Sequence, residues 1–125
     1  MEKALRYELE TKISELLNSV YPTNAPETAE RPYLVYSRIN TDRIKTLDGY
    51  TNKQSLSFMF SIMATQYGDM KSLTKKVEDF LISLPMTTIG QDGIYVEDIS
   101  INNIDETYEF NLGVNRGIID FTIYF

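Results

Sequence analysis

The sequence predicts an α+β fold: a two-layer sandwich in α–β–β–α–β–β order, with two helices on one face of an antiparallel-rich sheet. Three observations predict it. Residues 3–20 and 69–84 place hydrophobic side chains at three- and four-residue steps, the period of a helix buried on one side. Residues 54–65 and 117–125 alternate in steps of two, the period of a strand with one face on a core. The middle of the chain runs β–α–β with a hairpin-like pair on either side, which favours one sheet carrying both helices on the same face. The 125 residues fit a single domain, 1–125.

The first helix rests on Leu5, Leu9, Ile13, Leu16 and Val20, with Leu17 widening the stripe, and Pro22 ends it. Residues 21–32, YPTNAPETAERP, hold three of the four prolines and read as a stiff extended connector. YLVYSRI, residues 33–39, is rich in β-branched and aromatic types and predicts a strand. Residues 40–52 combine mixed charge with Asp48-Gly49 turn chemistry and read as a long loop. In the next strand Leu56, Phe58, Phe60, Ile62 and Ala64 face the core, while Ser55, Ser57, Ser61 and Thr65 face away.

Gly68 breaks that strand, and Asp69 is the expected N-cap of the second helix. Its buried face is Met70, Leu73, Val77, Phe80, Leu81 and Leu84, and Pro85 stops it. Gly90 and Asp92-Gly93 mark turns. Residues 94–102 predict a strand bulged near Glu97–Asp98, because the apolar parity shifts there from Ile94 and Val96 to Ile99 and Ile101. Residues 107–114 either extend this hairpin or form an irregular excursion. The last strand points Ile119, Phe121, Ile123 and Phe125 inward and pins the C-terminal residue in the sheet.

Composition narrows the chemistry. There is no histidine and no cysteine. That removes Ser–His and Cys–His nucleophile pairs and ordinary zinc sites. Carboxylate, lysine and tyrosine chemistry stays open in principle. No GxGxxG, GxxxxGK[ST] or GxSxG occurs. The expectation is therefore no enzyme, no catalytic residues, no cofactor and no metal. No stretch approaches the ~20 apolar residues of a membrane span, and the charged start reads as no signal peptide.

Net charge is −6, but unevenly spread. Residues 1–76 hold 11 basic and 9 acidic side chains; residues 77–115 hold 8 acids and no base. Within that block Asp92, Glu97, Asp98, Asp105, Glu106 and Glu109 form a candidate acidic surface, lining a passage or meeting a basic partner. A solvated face is the plainer reading. Asp92-Gly-Ile-Tyr-Val-Glu97-Asp98 lacks the ligand spacing of a calcium loop, and a weak Ca²⁺ or Mg²⁺ site among Glu97, Asp98, Asp105 and Glu106 is a minor alternative. So acidic a chain is poorly suited to gripping phosphates. Of the aromatics, Phe58, Phe60, Phe80, Phe121 and Phe125 are expected in the core. The tyrosines are expected at its rim or at interfaces.

The chain resembles the small tail-completion or tail-terminator proteins of long-tailed bacteriophages and prophages. The similarity is carried by RPYLVYSRI (Arg31–Ile39), close to the family's P-Y-[VI]-V-Y strand. TLDGYTN (Thr46–Asn52) looks like the family's loop before its long strand. The strand-then-helix passage SLSFMFSIMATQYGDMKSLTKKVEDFL and the closing YEFNLGVNRGIIDFTIYF are also similar to the family's. The resemblance implies a structural protein that assembles with itself as a ring, typically six copies, on the end of the tail tube. Its other partners would be the tail tube protein and a head connector or stopper protein. DNA would cross the lumen without specific binding, and no membrane is involved. The protein would reside in the virion tail, and in the host cytoplasm during assembly. Asp42, Arg43, Lys45, Leu47, Asp48 and Tyr50 of the loop are the candidate contact residues, since loops carry recognition on a rigid scaffold. Three other readings remain: a head–tail connector, a small-ligand-binding or regulatory domain, and an enzyme using carboxylates or tyrosines.

Overall fold

The computed structural model describes residues 1–23, 25, 29–46, 49–111 and 113–125, with backbone alone for 40–46 and 49–53. The fold is α+β. Helix α1 (Glu2–Lys12) leads through a 3-10 turn (Ser14–Leu16) to the short strand β1 (Val20–Pro22). Two long strands follow, β2 (Tyr33–Thr46) and β3 (Gly49–Ala64), and then helix α2 (Tyr67–Ser83). A small hairpin, β4 (Thr87–Ile89) and β5 (Ile94–Val96), precedes two further long strands, β6 (Asp98–Glu109) and β7 (Val114–Tyr124). The main sheet has the order β1-β2-β3-β7-β6. Among the described residues only the β1–β2 pair is parallel; the other neighbours are antiparallel.

The alternation that predicts β3 and β7 is what the core uses. Phe58, Phe60, Ile62, Ile119, Phe121 and Ile123 are buried and join one cluster with Leu5 and Leu9 of α1 and Val77 and Leu81 of α2. Phe58 and Phe60 both meet the Phe121 ring, stacked at 5.7 Å and edge-on at 4.7 Å between centroids. All six apolar positions expected on the second helix are buried. Gln66 takes the N-cap position in place of the expected Asp69, which lies in the first turn.

Several expectations are corrected. The first helix stops at Lys12, where Ile13 turns extended, yet Ile13, Leu16 and Val20 stay buried. Three- and four-residue spacing is thus satisfied by a helix, a turn and a strand in series, all of which reach into the core. Leu17 does not widen the stripe, being 61% exposed. Residues 40–46 and 49–52 are not a loop. Both strands run on through them, with Asp42 opposite Ser55, Arg43 opposite Gln54 and Lys45 opposite Tyr50. Ile44, Thr46, Tyr50 and Thr51 are strand-forming types, and here they outweigh the mixed charge that suggests a loop. Leu47 and the Asp48 half of the Asp48-Gly49 signal lie outside the described residues.

The parity shift at Glu97 is a change of sheet rather than a bulge: β5 ends and β6 begins on either side of it. The register shift of β6 falls instead between Ile101 and Asn103. Residues 107–109 extend the β6–β7 hairpin. Phe125 is only half-buried, but its backbone exchanges hydrogen bonds with Gln54 at 2.8 and 2.9 Å, tying the end of the chain to β3.

Candidate functional site

Two features of the sheet hold the candidate site residues: a hairpin arm and an acidic face. The arm follows from unequal strand lengths. The β3–β7 ladder covers Ser55–Ala64 and stops. The β2–β3 ladder runs on to Thr46 and Gly49, so the chain there is a two-stranded ribbon reaching past the rest of the sheet. Arg43, Lys45 and Tyr50 have their backbone in this ribbon, and Asp42 sits at its base.

The acidic block is split by strand parity, because successive residues of a strand face opposite sides. Asp98, Asp105 and Glu109 pair in register with Tyr124, Ile118 and Val114, and so lie on the face away from the core. Glu106 pairs with Gly117 on the core side. There it accepts a hydrogen bond from the Tyr67 hydroxyl at 2.8 Å and meets Lys71 Nζ at 3.4 Å, joining β6 to α2. Asp92 lies apart, exposed in the β4–β5 turn, and Glu97 sits at the junction of the two sheets. The four carboxylates considered for a cation are therefore not one cluster. Among the described residues no three acids gather as possible metal ligands.

Arg116 and Asp120 of β7 complete the face away from the core. The Arg116 guanidinium donates to Ser61 Oγ at 2.8 and 3.1 Å and to Glu109 Oε1 at 3.2 Å, tying β3, β7 and β6 together. Ser57 and Thr122 hydroxyls meet at 2.9 Å, and Asn102 donates to Thr122 at 3.0 Å. Asp120 Oδ1 is buried with no partner among the described residues. Arg116 is the one basic residue of β6 and β7, against Asp98, Asp105, Glu106, Glu109 and Asp120. Cross-strand neighbours of this kind depend on register, which spacing along the chain does not reveal. For that reason Arg116, Tyr67 and Lys71 escape a reading of the sequence.

The clefts of the molecule are rimmed by charge. One of about 430 Å³ lies between the 3-10 turn and α2, against Lys12, Glu15, Lys76 and Asp79. Another of about 550 Å³ lies between α2 and β6, against Lys71, Lys75, Glu78, Asp105 and Glu106. The second lies at the charged edge where α2 meets β6, while the space under the helices holds the core cluster with Phe58, Phe121 and Leu81. A ligand-binding domain would need an apolar pocket at that position. The shifted ionisable groups belong to ion pairs and burial. A hydrogen bond from Lys76 holds the Glu15 carboxyl below its ordinary range. Hydrogen bonds to Tyr67 and Glu106 raise Lys71, and one to Asp79 raises Lys75. Burial raises the Tyr36 hydroxyl. The Glu15–Lys76 and Lys71–Glu106 pairs rim these clefts, and each is an ion pair between exposed side chains.

Comparison with known proteins agrees with this picture. The family model described as Tail completion protein gp17 matches residues 3–125. A chain of a solved structure titled "Virion of native gene transfer agent (GTA) particle" superposes with a TM-score of 0.65 at 14% identity, covering 97% of this chain and 93% of that one. At that identity the likeness is one of fold. No curated protein matches.

Proposed function

We infer that this chain, which belongs to the Tail completion protein gp17 family, caps the end of a tail tube as a ring of its own copies and joins that tail to the head connector. Membership makes it a structural tail protein. The ring, the joining role and the passage of DNA through the lumen are the finer reading.

The observation that carries this reading is the sheet face away from the core. Asp98, Asp105, Glu109 and Asp120 lie on it with Arg116 as the single base from β6 and β7. Arg116 is already engaged by Ser61 and Glu109. Turned toward a lumen, such a face repels the phosphate backbone, so DNA slides past without the counterion release that drives binding. The hairpin arm, reaching beyond the sheet, is the natural element to meet a neighbouring tail or head protein. Its partners are then the tube protein and a connector or stopper. The protein belongs to the virion tail after assembly in the host cytoplasm, and it performs no catalysis.

Native mass spectrometry and sedimentation of the chain with purified tail tubes test this. The expected result is a ring of defined mass on tube ends and tubes that stop lengthening. A chain that stays monomeric at all concentrations, and also with tubes present, would falsify it. Binding to isolated head connectors in preference to tubes would move the protein to the stopper role.

A further inference from the structure

β6 is an open edge of the main sheet. It pairs only with β7, so one side of a 12-residue strand has no strand partner among the described residues. Free edges of this length invite an added strand. The Ile99 and Glu106 N–H groups donate to the carboxylates just before them, Asp98 and Asp105, at 2.8 and 2.9 Å. Along an antiparallel strand, successive residues address their backbone to one neighbour and then the other. By register Ile99 and Glu106 lie on the core side of β6, with Ile101, Ile104 and Tyr108. This set turns its backbone to the free edge, and two of its donors are held by the strand's own aspartates in place of a neighbour.

The two sides of that edge differ in chemistry. Helix α2 packs on β7 and β3, and β6 reaches past it. The cleft of about 550 Å³ lies there, with Thr74 and Ile104 in its wall. Ile104 is 41% exposed. At the end of the strand Tyr108 and Phe110 stand edge-on, 5.0 Å between centroids, and Phe110 is 87% exposed. Apolar side chains thus lie open along the helix side. The opposite side of the edge carries Asp98, Asp105 and Glu109.

We propose that an extended segment of another protein adds to β6 as a sixth strand of this five-stranded sheet. Its apolar side chains would enter the cleft beside α2, and its alternate Lys or Arg side chains would meet Asp98, Asp105 and Glu109. Main-chain bonds give such strand addition its affinity, and the alternating side chains give it specificity. The two aspartates act twice. In the free chain they hold edge donors and repel acidic strands. Bases on the arriving strand draw the carboxylates away and release the Ile99 and Glu106 N–H groups to it. The chain's own β2 edge does not supply this segment. Arg38 and Arg43 pair with Phe58 and Gln54 in the core-side register of β3, Arg38 is held by Glu2 at 3.4 Å, and Asp42 pairs with Ser55 on the other side. A second copy would therefore set acid beside acid. Bases that match the carboxylates one for one leave that margin near neutral, so it still offers DNA no grip. Strand addition needs a single copy of this chain and does not rest on the ring reading.

A peptide of about ten residues alternating lysine and valine, close to the length of a strand edge, is the probe. The expected result is slowed amide exchange at Ile99, Ile104 and Glu106, followed by NMR. Its affinity should exceed that of the same peptide with glutamate for lysine by at least about tenfold. N-methylation at the valines, whose N–H groups face β6 in this register, should abolish binding; N-methylation at the lysines should leave it. Asp98→Lys with Asp105→Lys, in a chain of unchanged circular dichroism, should reverse the preference toward the glutamate peptide. Equal affinity for the two peptides, binding by the valine-methylated peptide, or no slowing on β6 would each overturn the proposal. Protection of these amides that rises with protein concentration alone would assign the edge to a second copy and overturn it as well.

Discussion

Gly117 of β7 lies directly under Thr74 of α2. A Cβ at position 117 would collide with the Thr74 hydroxyl and come within 3.1 Å of Met70 Sδ. The helix can rest on this strand only because the strand offers bare backbone there. Gly117→Ala should therefore destabilise the fold by about 1–3 kcal/mol through overpacking, and Gly117→Val by more. Urea denaturation measures the loss. Thr74→Ala in the same chain should recover part of it, since the nearest obstructing atom is the hydroxyl; simple additivity would show that the contact is not the cause.

Glu8 makes the corresponding link at the other helix. Its Oε1 accepts the Gly90 backbone N–H at 3.0 Å, and its Oε2 lies 3.4 Å from Lys12 Nζ. Gly90 has φ +76°, and a Cβ on it would stand 2.7 Å from Ala4 Cβ, so this turn needs glycine to approach α1. Glu8→Ala leaves a part-buried N–H unsatisfied and should cost about 1–3 kcal/mol. Glu8→Gln keeps an acceptor oxygen and should cost less. Thermal melts of the two variants separate lost bonding from lost charge, because charge alone would make them equal.

The contrast between these contacts and the expectations drawn from the sequence has a physical source. Period-two and period-3.6 patterns report which side of a segment meets the core, so Phe58, Phe60, Ile119, Phe121, Leu73 and Leu81 were all legible. The same signal weakens where a segment has no core to face. Residues 40–46 and 49–52 form strands that pair with each other beyond the β3–β7 ladder, and their polar composition resembles a loop. Strand order, which puts β6 at an edge and brings Arg116 to Ser61 and Glu109, depends on contacts far apart in sequence. Glycine at 117 was visible as a residue, but its reason lies in α2. The acidic run is visible along the chain. Only the register divides it between the two faces.

Glu15 and Lys76 tie the 3-10 turn to α2 through a 2.7 Å hydrogen bond. That bond lowers the Glu15 carboxyl from its ordinary 4.5. A group lowered on folding stabilises the fold above its unfolded value and loses that contribution as pH falls through its folded value. The pair should thus contribute fully above about pH 4.5 and fade below it. Both side chains are well exposed, 52% for Lys76 and 40% for Glu15, so the contribution should stay under about 1 kcal/mol and shrink with salt. Lys76→Ala should return the Glu15 titration to the ordinary carboxylate range in a carbon-detected NMR titration. An unmoved titration would mean that Lys76 is not what lowers it.

The hairpin arm gives the most direct test of joining. Arg43 and Lys45 have their backbone in the ribbon that outruns the β3–β7 ladder. Surface substitutions usually alter stability by no more than about 0.5 kcal/mol. Arg43→Glu with Lys45→Glu should therefore leave the melting curve nearly unchanged while blocking attachment of tails to heads, counted by electron microscopy. Inspecting the tails for a cap divides two causes. Capped tails without heads would assign the two bases to the head-side contact. Uncapped, overlong tails would assign them to the association between copies. Heads joined at the normal rate would mean that neither charge takes part.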